Sequence, residues 1–213
     1  MIGGEIMQYI FIHGLGQNST SWDKTISFMK NNFNPMCVDL FSLLNNKDTT
    51  YANMYNSFSD YCKNISEPLN LCGLSLGGVL ALNYAIDNPE RVKSLVLIAA
   101  QYKMPKEMLK FQNIIFRCMP KSVFAKMGLQ KKDAIQLTNS MLDLDFTNKL
   151  TSISCPVLVA CGEKDSANKK TAKFLSMNIP KAKFNLVENA SHEVNIDNPQ
   201  ALAVILEDFY CSE

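Results

Sequence analysis

The chain has 213 residues, 47% of them apolar, and sets 21 Lys and Arg against 20 Asp and Glu for a formal charge of +1. That length suits one domain, 1–213, with a sizeable core, and basic residues scattered rather than clustered leave no footprint for a nucleic-acid partner. No apolar run approaches the roughly 20 residues of a membrane span, and the apolar N-terminus lacks the basic start of a signal peptide.

Taken in chain order, the first strand is expected near 8–12 and runs into His13-Gly14-Leu15-Gly16. Glycines at a strand end let the backbone turn its N–H groups into a cavity, as an oxyanion hole requires, and the Leu15 N–H is the expected donor there. A plain flexible turn is the simpler reading of Gly14 and Gly16. His13 is expected to hold the loop's shape rather than to carry protons. A helix near 21–31, a strand near 34–39 and a helix near 50–65 follow.

The next stretch, Asn70-Leu71-Cys72-Gly73-Leu74-Ser75-Leu76-Gly77-Gly78, is the most informative. A short apolar strand near 69–72 meets a sharp turn with Ser75 at its apex, and a helix over 76–87 leaves at once. This is a G-x-S-x-G pentapeptide in the strand–turn–helix setting that gives the pattern mechanical meaning. Glycines flank the serine because the turn crowds the backbone. The Leu76 N–H then lies at a helix N-terminus, where negative charge is favoured. Small residues Gly77, Gly78, Ala81 and Ala85 are spaced to bring that helix close to the sheet.

After a strand near 92–99, residues 101–148 exceed what a crossover helix needs, and part of them is expected to form a lid over Ser75. Met108, Phe111, Ile115 and Met119 recur at helical spacing between Pro105 and Pro120. A second stretch, Asp133–Leu142, puts Ile135, Leu137, Thr138, Met141 and Leu142 on an apolar surface. Such stripes either pack on the core or form an adaptable acyl-binding wall. Met108, Phe111 and Met141 are the candidate substrate contacts.

A buried-type strand near 155–161 precedes Glu163-Lys164-Asp165, and a helix is expected near 167–176. A strand near 182–187 leads to Glu188-Asn189-Ala190-Ser191-His192-Glu193, and a helix near 199–210 ends the chain. The chain has only two histidines, and His192 is the one base candidate downstream of Ser75. A histidine in a loop after a strand suits a general base acting on a serine hydroxyl. Asp165 is the best-placed carboxylate to fix its tautomer, with Glu163 as the alternative. Seven cysteines form an odd set. Cys72, Cys155 and Cys161 fall in expected strands, which suits free core thiols in a reducing cytoplasm. No metal-ligand spacing occurs, so no metal and no cofactor are expected.

Together these sites resemble the α/β-hydrolase superfamily, in particular the small acyl hydrolases with a His-Gly oxyanion loop. Asn88-Pro89-Glu90-Arg91-Val92, Cys155-Pro156 and Asn198-Pro199 add to the likeness, which covers nearly the whole chain. It implies a doubly wound, mainly parallel α/β sheet of about six strands. It also implies Ser75 as nucleophile, Asp165 as acid, His192 as base, and Leu15 and Leu76 as oxyanion donors. The implied activity is a serine hydrolase cleaving esters or thioesters of small to medium apolar acyl groups. A lyase or C–C bond hydrolase, or a low-turnover ligand receptor, are the alternatives. A proline-type aminopeptidase fits less well, because no Gly-Pro arrangement follows His13. Two departures stand out. Leu40-Phe41-Ser42-Leu43-Leu44-Asn45-Asn46 replaces the usual glycine-rich turn after Asp39, and Met1–Met7 are too few for the usual leading hairpin. The strand near Asn34–Asp39 is therefore expected at a sheet edge guarded by Pro35, with a monomer favoured over a homodimer pairing there.

Overall fold

A computed structural model describes residues 7–30, 33–126 and 128–212. Among these residues six strands form one sheet: β1 (Gln8–Ile12), β2 (Met36–Val38), β3 (Leu69–Leu74), β4 (Val92–Ile98), β5 (Val157–Gly162) and β6 (Ala182–Val187). Their order is β2-β1-β3-β4-β5-β6, and every adjacent pair runs parallel. Among the described residues the sheet is thus purely parallel, where a mainly parallel one was expected.

Alternate side chains of each strand feed two separate cores. Ile10, Ile12, Leu95, Leu97, Val157 and Val159 pack with Phe58, Leu80 and Leu175 of α2 (Tyr51–Lys63), α3 (Leu76–Asp87) and α7 (Ser166–Asn178). Phe11, Val96, Ile98 and Leu158 face the other way, against Trp22 and against Leu202 and Leu206 of α9 (Pro199–Cys211). Burial on both faces is why these strands read as nearly continuous apolar runs.

From β1 the chain crosses outward to β2, then returns to the far side of β1 to make β3. The carboxyl ends of β1 and β3 therefore flank a switch point, the place where open α/β sheets form a crevice. The Gly14 loop and Ser75 both leave the sheet there.

Several boundaries differ from expectation by a residue or more, two of them with a local cause. The helix expected near 21–31 is a 3-10 turn (Ser19–Trp22) followed by α1 (Asp23–Phe28). The Asn18 side chain accepts from the Thr20 N–H while the Ser21 hydroxyl accepts from the Asn18 N–H, and this reciprocal cap starts the turn early. β2 is shortened to Met36–Val38 and ends the sheet among the described residues, just after Pro35. Met1–Ile6, on which the expected loss of the leading hairpin turns, lie outside the described residues.

Between β4 and β5 lie α4 (Lys106–Cys118), α5 (Lys121–Lys126) and α6 (Lys131–Ser140). α4 fills the interval between Pro105 and Pro120 that the sequence marked. α5, with six residues, is too short to carry a readable period. The two ends of this segment are tied together by a Lys103–Asp145 ion pair at 2.8 Å and by Met104 N–H donating to Leu144 O.

The close approach of α3 to the sheet rests on absent side chains. A Cβ at Gly77 would stand 2.2 Å from the Ile12 carbonyl oxygen, and one at Gly73 would stand 2.3 Å from that of Gly77. At Gly14 the nearest atom to such a Cβ is 3.5 Å away. Gly77→Ala should therefore cost about 3 kcal/mol or more, or prevent folding, whereas Gly14→Ala should cost less than about 1 kcal/mol. Urea unfolding of the two variants reads the difference, and equal losses would contradict the packing described.

Candidate active site

Ser75 occupies the turn between β3 and α3 with φ 51° and ψ −112°, a conformation that costs a non-glycine residue strain. The turn is held because the Ser75 N–H donates to Ile98 O at 2.8 Å. Leu76 opens α3, so its N–H has no acceptor within the helix. Leu15, Ser75 and Leu76 all border one cavity.

β5 and β6 bring the other two residues. A Cβ at Gly162 would lie 2.0 Å from Ser191 O, so the end of β5 touches the backbone of the loop after β6. Lys164 N–H donates to Ala190 O at 2.8 Å and Asn189 N–H to Glu163 Oε2 at 3.0 Å. Glu163, the alternative acid, thus binds backbone of the histidine loop. Asp165 is the carboxylate facing the imidazole: His192 Nδ1 lies 3.0 Å from Asp165 Oδ2, and His192 Nε2 lies 3.1 Å from Ser75 Oγ. With Nδ1–H donating to the carboxylate, Nε2 keeps its lone pair toward the hydroxyl.

Asp165 is 5% exposed and caps α7, accepting from the Asn168 N–H at 3.2 Å. Sequence reading missed the group that completes this arrangement. Asn168 Nδ2 donates to both carboxylate oxygens, at 2.9 and 2.8 Å. Its Oδ1 accepts from Gln101 Nε2 at 2.6 Å, and Gln101 Oε1 accepts from Thr171 Oγ1 at 3.3 Å. A flipped amide would set oxygen against carboxylate and nitrogen against nitrogen, so the network fixes the orientation. Only the position three residues after Asp165, one helical turn into α7, could have hinted at Asn168.

The front loop is braced in the same manner. His13 is fully buried, its Nδ1 2.8 Å from Gly14 O, while its Nε2 accepts from the Leu40 N–H at 3.1 Å. That pairing makes Nδ1 the protonated nitrogen and His13 a structural strut, as expected. Burial holds its pKa below the usual imidazole value, against the opposing pull of the Gly14 carbonyl and Asp39. Gln17 and Asn195 exchange two amide hydrogen bonds at 3.2 Å, tying this loop to α8 (Val194–Asp197) just beyond His192.

The cavity over Ser75 has a volume of about 340 Å³. Met108 and Met141, two of the three candidate substrate contacts, line it with Met104, Met119 and Leu137. Phe111 does not: it is 63% exposed and stands on the outer side of α4. Ile115 is likewise exposed. Among the described lining residues there is no Asp, Glu, Lys or Arg. Among the described residues, no group of three or more His, Cys, Asp or Glu side chains is placed to hold a metal ion. No helix there is long and apolar enough to cross a membrane.

Residues 9–205 match the family model described as "Alpha/beta hydrolase family". The chain belongs to that family. As an alpha/beta hydrolase it is similar to the pimeloyl-[acyl-carrier protein] methyl ester esterase of Vibrio campbellii, 22% identical over 97% of this chain and 95% of that one. It is also similar to the monoacylglycerol lipase ABHD6 of Mus musculus, 21% identical over 95% of this chain and 75% of that one. A thermophilic esterase from Thermogutta terrifontis shares the fold with a TM-score of 0.78 at 17% identity, over 98% of this chain and 91% of that one. The α/β fold and a hydrolase activity are what this alpha/beta hydrolase shares with its family.

Two measurements test the bracing of the site. Asn168→Leu should lower kcat about 10- to 100-fold with KM within about twofold and melting temperature lowered by only several degrees, since the carboxylate loses the donor that aims it. Steady-state kinetics beside a thermal melt separates this from simple unfolding. His13 gives a pH signature. Its folded pKa lies below the unfolded value of about 6.5, so its stabilisation is present above that pH and is lost as pH falls toward the folded value. Stability should fall by on the order of 1 kcal/mol per pH unit below about 6.5, with a shallower slope in His13→Gln. Denaturant titrations between about pH 5 and 8 read both slopes.

Proposed function

We propose that this alpha/beta hydrolase is a cofactor-free serine esterase or thioesterase for uncharged, apolar acyl groups of small to medium size. The observation that carries the reading is the Ser75 hydroxyl, 3.1 Å from His192 Nε2, at the floor of an apolar cavity of about 340 Å³. The Vibrio and mouse relatives are a methyl ester esterase and a lipase, which supports ester cleavage. The helices between β4 and β5 serve as the lid, with Met108 and Met141 in the acyl wall and Phe111 outside it.

In the proposed reaction, Ser75 Oγ attacks the carbonyl carbon while His192 Nε2 takes the hydroxyl proton. Asp165 stabilises the imidazolium that results. The Leu15 and Leu76 N–H groups hold the developing oxyanion. The imidazolium then gives its proton to the leaving alcohol or thiol, and the acyl-enzyme forms. Water, deprotonated by His192, attacks that acyl carbon, releases the acid and restores Ser75. The lining explains the chain preference. A free carboxylate on the acyl tail would enter a cavity with no Lys or Arg among its described lining residues to offset its desolvation.

The test joins labelling to a substrate series. Ser75→Ala should fold normally, lose at least about 10³-fold in kcat, and lose labelling by a fluorophosphonate. Neutral acyl esters should be cleaved at least about tenfold better, by kcat/KM, than esters of the same length ending in a carboxylate. Labelling that persists in Ser75→Ala, or faster cleavage of the carboxylate-ended series, would overturn the reading.

A further inference from the structure

α4 is built inside out. Its buried residues are Leu109 and Asn113, while Met108, Phe111, Ile114 and Ile115 are 49%, 63%, 56% and 43% exposed. The orientation is locked rather than loose. Asn113, 4% exposed, donates from Nδ2 to Asn139 Oδ1 at 2.7 Å, and its Oδ1 accepts from Thr138 Oγ1, both on α6. A polar residue is thus buried and satisfied while four large apolar ones are left in water, the reverse of what a helix covering a core does.

The surroundings of that face carry positive charge. Lys106, Lys110 and Arg117, at i, i+4 and i+11, share one side of α4 along its apolar stripe. Lys106 pairs with Asp143 at 2.5 Å and Lys110 with Glu107 at 2.9 Å, both exposed pairs that another anion can replace at little cost. Over residues 101–148 eight basic residues stand against four acidic ones, a net +4 within a chain whose total is +1. Met108 belongs both to the exposed stripe and to the cavity wall, so the stripe continues to the site.

We propose that the outer face of α4 docks on an anionic lipid surface, with Phe111, Ile114 and Ile115 entering the headgroup boundary and the flanking Lys and Arg side chains meeting lipid phosphates. An apolar stripe edged by basic residues is the pattern of a helix lying in a membrane interface. A second copy fits less well, because two lids of net +4 would face each other. The inference extends the esterase reading by drawing the acyl donor from the lipid surface beside Met108, but the docking itself requires no catalysis.

Sedimentation of the full chain with lipid vesicles tests it. Vesicles of phosphatidylcholine with about 30% phosphatidylglycerol should bind the protein at least about tenfold more tightly than pure phosphatidylcholine, with most of that margin lost at about 0.5 M salt. Ile114→Asp combined with Ile115→Asp should weaken binding at least about tenfold, while the melting temperature and the hydrolysis of p-nitrophenyl butyrate stay near wild type. Ser75→Ala should bind as wild type does, so a failed esterase reading leaves this result intact. Wild-type protein that stays off anionic vesicles, or a double variant that binds as well as wild type, overturns the proposal. So does a wild-type dimer that the double variant converts to monomer without any lipid binding.

Discussion

The carbonyl oxygen of Ile12 stands where any side chain at residue 77 would have to go. That backbone-on-backbone contact sets how deeply α3 sinks onto the sheet, and everything at the switch point inherits its position from it. With α3 pressed against β1 and β3, the turn between them has no room to relax, and Ser75 is forced to positive φ. The strain lifts its oxygen clear of the sheet. The same contact sets the start of α3 beside the loop that follows β1, so Leu15 and Leu76 border one cavity. A second contact of this kind, Gly162 against the backbone of Ser191, brings the Asp165 turn against the His192 loop. Two places without side chains thus align residues from four strand ends, and hydrogen bonds then hold what the packing has brought together.

Those contacts also explain how much could be read in advance. The elbow was legible because its chemistry is local: glycines, serine and the start of a helix fall within nine residues. Asp165 and His192 were legible because each follows an apolar run in the loop where a parallel sheet exposes its carboxyl ends. The bracing amides were not. Asn168 and Gln101 meet across 67 residues, and nothing in the composition around either one signals the other. The 3-10 turn at Ser19–Trp22 and the short α5 escaped for a different reason, being shorter than any hydrophobic period.

Phe111 is the instructive miss. Met108, Phe111 and Ile115 do form a helical stripe, as their spacing of three and four requires. Periodicity reveals a stripe but not the direction it faces. In α4 the inward side carries Asn113, whose amide pairs with two side chains on α6, and Phe111 and Ile115 face outward. With its amide paired on α6, Asn113 is buried at little cost. The cavity wall is consequently made from the flank of α4 and from α6, and is rich in methionine, whose flexible thioether fits varied contours.

The reciprocal amide pair of Gln17 and Asn195 spans 178 residues, and Ser75 is 117 residues from His192. During synthesis at roughly 5–20 residues per second, Ser75 therefore precedes His192 by about 6 to 23 s. Throughout that interval the β6 loop is missing, and the His192 imidazole is not yet beside Ser75. On the proposed mechanism a nascent chain would be inert toward acyl groups around the ribosome. Its reactivity would begin at one moment, when β6 pairs with β5 and the His192 loop closes over Gly162.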